Sequence, residues 1–430
     1  MVELRLPYGQ GFRSLDLPWA NHVGTFLPKG QATNVPEMEI ICQALDNPVG
    51  TATLEELLEP DRRVVIITSD VTRPCPNAVL LPPLLERLHA AGIKDEDITV
   101  VIALGLHRPM TDAELARSVG DEVFQRVKVI NHDPKDVVVL GKTRRGTPVE
   151  IFRPVVEADY RICVGNVEFH YFAGYSGGAK AIVPGVASPN TVTSNHSYMT
   201  SAHAQAARLA GNPVRDDLEE AAHMVGADFL LNVIVDENHK VIDASAGDVT
   251  KAHRVLCERL RQAGTVSLSQ RLDLAIVSAG GDPKDVNLYQ AQKALDNCAG
   301  VVRRGGVIIL LAECKEGYGN ATFTEWMTSG RKPSELIDTI GQDFVLGGHK
   351  AAAIAKIAIN TKILLVTSPR LEHEQLVGID VYADLEEAIQ AGFQLVGEDA
   401  AYAVFPYGAS TLPHIGDLEG MLLNQNSGLV

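Results

Sequence analysis

Short runs of apolar, β-branched residues recur along the chain, and each is followed by a polar loop and then by helical spacing. The first is Arg63–Ser69 (RVVIITS). Its lack of polar alternation predicts a strand buried on both faces. Asp70-Val71-Thr72-Arg73-Pro74 follows, then a helix over about 77–91. A second run, Ile98–Leu104, leads into Gly105-Leu106-His107-Arg108-Pro109 and a helix from Thr111. Thr111 and Glu114 have the spacing of a capping box. A third run, Arg161–Val164, feeds Gly165-Asn166 and the glycine-rich segment 170–185. Strand, loop and helix in repetition predict an α/β protein with a mostly parallel sheet. Such sheets bind ligands at the carboxyl ends of their strands, where these polar loops fall.

The polar stretch Val266–Arg271 reads as a linker, and the rhythm restarts beyond it. Leu272–Ser278 is a strand, and Gly280-Gly281-Asp282-Pro283 a loop. Helices are expected over about 286–302, 333–344 and 350–358, with strands at Gly306–Ala312 and Lys362–Thr367. The expected layout is two α/β domains with mostly parallel sheets, residues 1–268 and 269–430, with the active site in the cleft between them. The 430 residues allow two or three domains.

Composition narrows the function. A formal charge of -16 disfavours nucleic acid, which needs a lysine or arginine surface. A local basic pocket for a small anion remains compatible with it. The six cysteines form no CxxC pair or zinc-type cluster, so scattered thiols in a reducing cytoplasm are expected. No apolar run reaches the roughly 20 residues of a membrane span.

The candidate chemistry lies at the strand ends. In His170–Gly185, Gly174, Gly177 and Gly178 allow close backbone approach to a ligand, and Lys180 follows them. The string fails the P-loop pattern because Ala181 follows the lysine. A glycine turn with a surface lysine fits the same pattern. His107, His170 and His196 stand in loop-like positions, where imidazole can exchange protons or bind a metal. Each alone also fits a structural histidine. Arg73 can clamp a carboxylate, and Asp70 can pair with Arg73 or cap the next helix. Gln290 and Lys293 share a helix face with Tyr289 beside it, which suits a small carboxylate or a solvated surface. GxGxxG, HExxH and GxSxG are absent.

Taken in order, these strings resemble the nickel-dependent lactate racemase family. They are Asp70-Val-Thr-Arg73-Pro74, Gly105-Leu-His107-Arg108, Glu168-Phe-His170 through Lys180 to Gly185, Asn195-His196-Ser197, and Gly280-Gly281-Asp-Pro283 through Lys293. The resemblance implies a 2-hydroxyacid racemase or epimerase that works by reversible hydride transfer. It implies nickel held in a nickel-pincer nucleotide, a pyridinium dithio-mononucleotide covalently bound to Lys180, with His196 as metal ligand. It implies His107 and His170 as acid/base pair, and Asp70, Val71, Thr72 and Arg73 as the cofactor-contacting segment. Arg73, Tyr289, Gln290 and Lys293 would then bind substrate. The expected partners are a small 2-hydroxy acid and the proteins that build and load the cofactor. Two other readings stand beside it. One is a hydro-lyase or redox enzyme holding a free metal through His107, His170 and His196; the other is a non-catalytic hydroxy-acid or nucleotide sensor.

Overall fold

Val64–Ser69 sits at the middle of a six-stranded sheet because its alternate residues are buried on opposite faces. Val64 and Ile66 pack into one hydrophobic cluster, Val65 and Ile67 into another. The structure, a computed structural model, describes residues 4–15, 20–28, 33–236, 238–342, 344–368, 371 and 375–416. The chain divides into two compact units, Gln31–Gln262 and Met1–Gly30 with Ala263–Val430.

In the first unit the sheet order is Val241–Gly247, Phe229–Val235, Tyr160–Asn166, Val64–Ser69, Ile98–Ala103, Lys128–Asn131. All neighbours are parallel except Val241–Gly247, which runs antiparallel. The chain starts in the centre, moves to one edge, then crosses to the other side. The reversal lies between Val64–Ser69 and Tyr160–Asn166. Neighbouring connections leave in opposite directions there, and a crevice opens beyond the carboxyl ends. Asp70 follows one of these strands directly, and the 167–185 loop follows the other.

The helix Asn77–Ala90 covers one face through Leu80, Leu81, Leu84, Leu85 and Leu88, all fully buried. The other face is covered by Ile182, Val183, Val214 and Leu218. The glycine-rich loop is thus anchored by its own apolar residues in the core. The helix Asp112–Val119 starts with the expected capping box, since Thr111 and Glu114 exchange both bonds.

The second unit has a fully parallel six-stranded sheet. Its order is Ile379–Tyr382, Lys362–Val366, Val302–Leu311, Leu272–Ser278, Tyr402–Phe405, His22–Thr25. The helix Leu288–Ala299 follows the strand Leu272–Ser278.

Two details depart from the sequence reading. The first thirty residues group with the second unit, because His22–Thr25 adds an edge strand beside Tyr402–Phe405. A one-dimensional pattern does not reveal that non-local pairing. The stretch read as a linker includes a strand, Thr265–Leu268, paired in parallel with Leu412–Ile415. Val266 and Leu268 are buried and Ser267 is exposed, an alternation too short to stand out.

Truncating the fully buried Ile66 to Ala should destabilise the fold by roughly 2–5 kcal/mol. Val139→Ala, at an exposed site, should stay within about 0.5 kcal/mol. Urea unfolding followed by circular dichroism measures both, and equal midpoints for the two variants would contradict the packing described.

Candidate active site

The strand Val64–Ser69 delivers Asp70 to the crevice, and the strand Ile98–Ala103 delivers His107. Gly105, at φ +56°, donates its N–H to the Gly185 carbonyl at 2.9 Å. That bond ties the His107 loop to the end of the glycine-rich loop. His107 Nδ1 lies 2.7 Å from Asp70 Oδ2. The other oxygen, Asp70 Oδ1, accepts from the Thr72 hydroxyl at 2.6 Å and the Thr72 N–H at 3.2 Å. Burial alone would raise the Asp70 carboxyl. The His107 and Thr72 bonds and the nearby Arg73 charge outweigh it and hold the carboxyl below its ordinary value. Asp70 therefore stays ionised and orients His107, and it neither ion-pairs with Arg73 nor caps the next helix, whose N-cap is Pro76. Val71, Thr72 and Arg73 are exposed. Among the described residues no carboxylate lies within salt-bridge distance of Arg73. Arg108 instead makes a bidentate pair with Glu114, at 2.6 and 2.8 Å.

The loop 167–185 is held by its backbone. Ser176 Oγ donates to the Asn166 carbonyl at 2.9 Å and accepts from the Glu168 N–H at 2.8 Å, a structural role. The Gly178 N–H donates to Asn232 Oδ1 at 2.7 Å. Gly178 has φ +60°, and a Cβ there would stand 2.8 Å from the His253 ring. Only glycine fits this turn against a histidine whose Nε2 contacts the Ser176 carbonyl at 2.8 Å. From the helix Pro213–Val225, the fully buried Arg215 donates to the carbonyls of Ala173, at 3.1 Å, and Tyr175.

Lys180 lies in the short 3-10 helix Gly178–Ala181, with its Nζ 5.7 Å from the centre of the Phe172 ring. The side chain as a whole is partly accessible while its amine end is enclosed, and the amine's surroundings govern its charge. Desolvation, reinforced by the Arg215 and Arg73 charges, pushes that amine well below 10.5. Phe172 also packs edge-on against His170, at 4.5 Å, and against His196, at 5.0 Å. One aromatic ring thus gathers the lysine and two of the three candidate histidines. His170 stacks on Tyr171, and its Nδ1 accepts the Ala173 N–H at 3.2 Å. His196 is buried in the helix Pro189–Ser197, its Nδ1 3.2 Å from Asn195 Oδ1. Asn195 in turn donates to Asp217, whose other oxygen accepts from Thr143. This chain fixes the ring of His196 as an outer shell fixes a metal ligand.

Tyr289, Gln290 and Lys293 belong to the second unit, in the first turns of Leu288–Ala299, and all are partly exposed. Asn287 caps that helix by accepting the Gln290 N–H at 3.0 Å. The buried Lys350 donates to the Tyr289 carbonyl at 2.5 Å and lies 4.1 Å over its ring. The structure therefore joins Asp70, Thr72 and His107 in one group and His170, Lys180 and His196 around Phe172 in another, both in the first unit, with Tyr289, Gln290 and Lys293 on the second unit.

The profile of the lactate racemase N-terminal domain matches residues 8–208, and that of the C-terminal domain matches residues 268–412. The lactate racemase of Thermoanaerobacterium thermosaccharolyticum is 34% identical over 96% of this chain and 99% of its own length. The chain belongs to the lactate racemase family. The lactate racemase of Lactiplantibacillus plantarum is 31% identical over 96% of the chain and 100% of its own length. The structure of the lactate racemase apoprotein from T. thermosaccharolyticum superposes with a TM-score of 0.89 at 32% identity, covering 96% of this chain and all of that one. A Thermotoga maritima protein shares the fold at TM-score 0.67 and 20% identity, over 90% of this chain and all of that one. The protein is an isomerase of the racemase type.

Several residues of this racemase carry no local sequence signal. Arg215 sits in an acidic stretch, VRDDLEE, that reads as a solvated helix face. Phe172 reads as core, and Asn232 and His253 lie far from the loop they support. Cys75, two residues after Arg73, is a packed thiol that burial pushes up to about 12.

Burial and the neighbouring positive charges lower the Lys180 amine, so a larger fraction of it should be unprotonated at a given pH than of an ordinary lysine. Cyanate, which is small and attacks neutral amines, should carbamylate Lys180 at pH 7 ahead of Lys94, which is paired with Asp61 at 2.8 Å. Peptide mass mapping of a time course reads the order. Modification of Lys94 before Lys180 would contradict the lowered proton affinity of Lys180.

Proposed function

We propose that this racemase inverts C2 of a small 2-hydroxy acid, lactate being the substrate that names its relatives, with a nickel-pincer nucleotide bonded to Lys180. The observation that carries this reading is a lysine packed on the same phenylalanine ring as two candidate histidines, its charged form disfavoured by burial. A neutral amine can form a covalent bond where an ammonium cannot.

The residues present fit such a group. Among the described residues Asn166 Nδ2, at the end of the strand Tyr160–Asn166, is a buried donor with no hydrogen-bond partner, which an acceptor oxygen of a nucleotide would satisfy. Among the described residues no three of His, Cys, Asp or Glu converge to hold a metal ion. A nickel ion here therefore suits His196 plus donors that arrive with an organic group, and the free-metal reading loses its ligand set. When bound, the cofactor supplies a reversible acceptor for the C2 hydride.

The chain's own residues supply the rest. The C2–H of an ionised hydroxy acid is hardly acidic, so removing the hydroxyl proton must accompany loss of hydride. His107 Nε2 takes that proton, and ionised Asp70 stabilises the imidazolium that results. His170, from a different strand end, serves the opposite face. Arg73 holds the substrate carboxylate, with Tyr289, Gln290 and Lys293 as the further substrate-binding set. Cofactor-building and loading proteins are the implied partners. Among the described residues no helix is long and apolar enough to cross a membrane.

The test uses protein produced with and without nickel and the cofactor-building machinery, assayed on a panel of chiral 2-hydroxy acids by chiral chromatography. Loaded protein should interconvert the enantiomers of at least one acid. His107→Ala and His170→Ala should each lower kcat by about 10²-fold or more. Inversion of no panel member by fully loaded protein would sink the proposal.

A further inference from the structure

The two acid/base histidines are held by opposite kinds of partner. His107 Nδ1 faces a carboxylate oxygen at 2.7 Å, and a carboxylate that stays ionised only accepts. The ring proton of neutral His107 must therefore sit on Nδ1, leaving a lone pair on Nε2. His170 Nδ1 faces the Ala173 N–H at 3.2 Å, and a backbone N–H only donates. The ring proton of neutral His170 must therefore sit on Nε2.

We propose that the two histidines rest in opposite tautomers, His107 as the proton acceptor and His170 as the hydrogen-bond donor, with Asp70 as the positioning residue that sets the first. This rests on the racemase reading above and assigns each histidine its resting role within it. When substrate presents its hydroxyl to His107, the O–H bond breaks and an Nε2–H bond forms. The oxygen keeps the electron pair, which closes the carbonyl as the C2 hydride departs to the acceptor that the pyridinium cofactor would supply. His170 meets the oxygen of a bound molecule with an N–H and polarises it. For His170 to act as a base at Nε2, its proton must first move to Nδ1. That would set two N–H donors against each other across the 3.2 Å contact with Ala173.

The loop explains why this pairing is fixed. Ala173 lies beside Gly174, at φ +78°, and its carbonyl accepts from Arg215. The peptide that donates to His170 is held through its own carbonyl, that of Phe172, by Asn212 Nδ2 at 2.8 Å, and the peptide after it is held by the buried guanidinium. Asp70 is likewise held by both Thr72 bonds.

Steady-state efficiency cannot reveal this handedness. Enantiomers have equal free energy, so kcat/KM must be the same in both directions, in the wild type and in any variant. Imidazole nitrogens report it directly, because bare and protonated ring nitrogens resonate far apart. The experiment is a long-range proton–nitrogen correlation spectrum of the full-length protein labelled with ¹⁵N-histidine, at pH 8. His107→Gln and His170→Gln assign the two rings. The expected result is a protonated Nδ1 with bare Nε2 for His107, and a protonated Nε2 with bare Nδ1 for His170. Asp70→Asn should disturb the His107 pattern and leave that of His170 in place. The same tautomer on both rings, or a proton on Nε2 of His107, overturns the proposal in the wild-type spectrum alone, whether or not the variants fold. Opposite tautomers in a loaded protein that inverts no hydroxy acid would support the assignment while refuting the functional reading. Matching tautomers in an active racemase would refute only the assignment.

Discussion

The buried guanidinium of Arg215 is the constraint on which the site depends. It is fully buried, its nearest counter-charge is Glu219 at 3.7 Å, and two of its bonds go to loop carbonyls. Burying a charge with so partial a partner costs stability. The fold offsets that cost with order elsewhere. Glu219 also pairs with Arg254 at 2.7 Å, Arg254 contacts His253, and His253 reaches the Ser176 carbonyl. Residues 173–176 of the glycine-rich loop are thereby tied to a network of charges behind it. Removing Arg215 would free the loop and abolish one of the two charges that suppress the Lys180 ammonium.

That suppression has a thermodynamic consequence. Between the depressed value of folded Lys180 and the ordinary 10.5, the unfolded chain binds more protons at this residue than the folded chain does. The residue's contribution to stability therefore grows as pH rises through that window and shrinks as pH falls. Disfavouring the charged form of an amine is unfavourable for folding and favourable for bond formation. Local rules are broken in this way where function demands it.

Much of the fold was legible because its strands are continuous apolar runs. Val64–Ser69, Ile98–Ala103 and Leu272–Ser278 stand within a residue or so of where their β-branched residues place them, and the Thr111 capping box is present. The loops that follow carry Asp70, His107 and Lys180, and their order along the chain identified the family. The illegible parts are non-local. Nothing near His22 announces a strand that pairs with Tyr402. Asp70 read as a partner of Arg73 or a cap of the next helix, whereas its partner is 37 residues away in the loop after a neighbouring strand. Arg215 has the local look of a surface residue. Burial and partner choice depend on which elements meet, and periodicity does not encode that.

The central claim is that Lys180, whose charged form is disfavoured by burial and by Arg215, is the attachment point of the cofactor. The most direct measurement is the intact mass, followed by peptide mapping, of protein co-produced with nickel and the cofactor-building machinery. The account predicts a single adduct of nucleotide size located on Lys180, and none on the Lys180→Ala variant made alongside. A catalytically active preparation with Lys180 unmodified, or with the adduct on another residue, would contradict it.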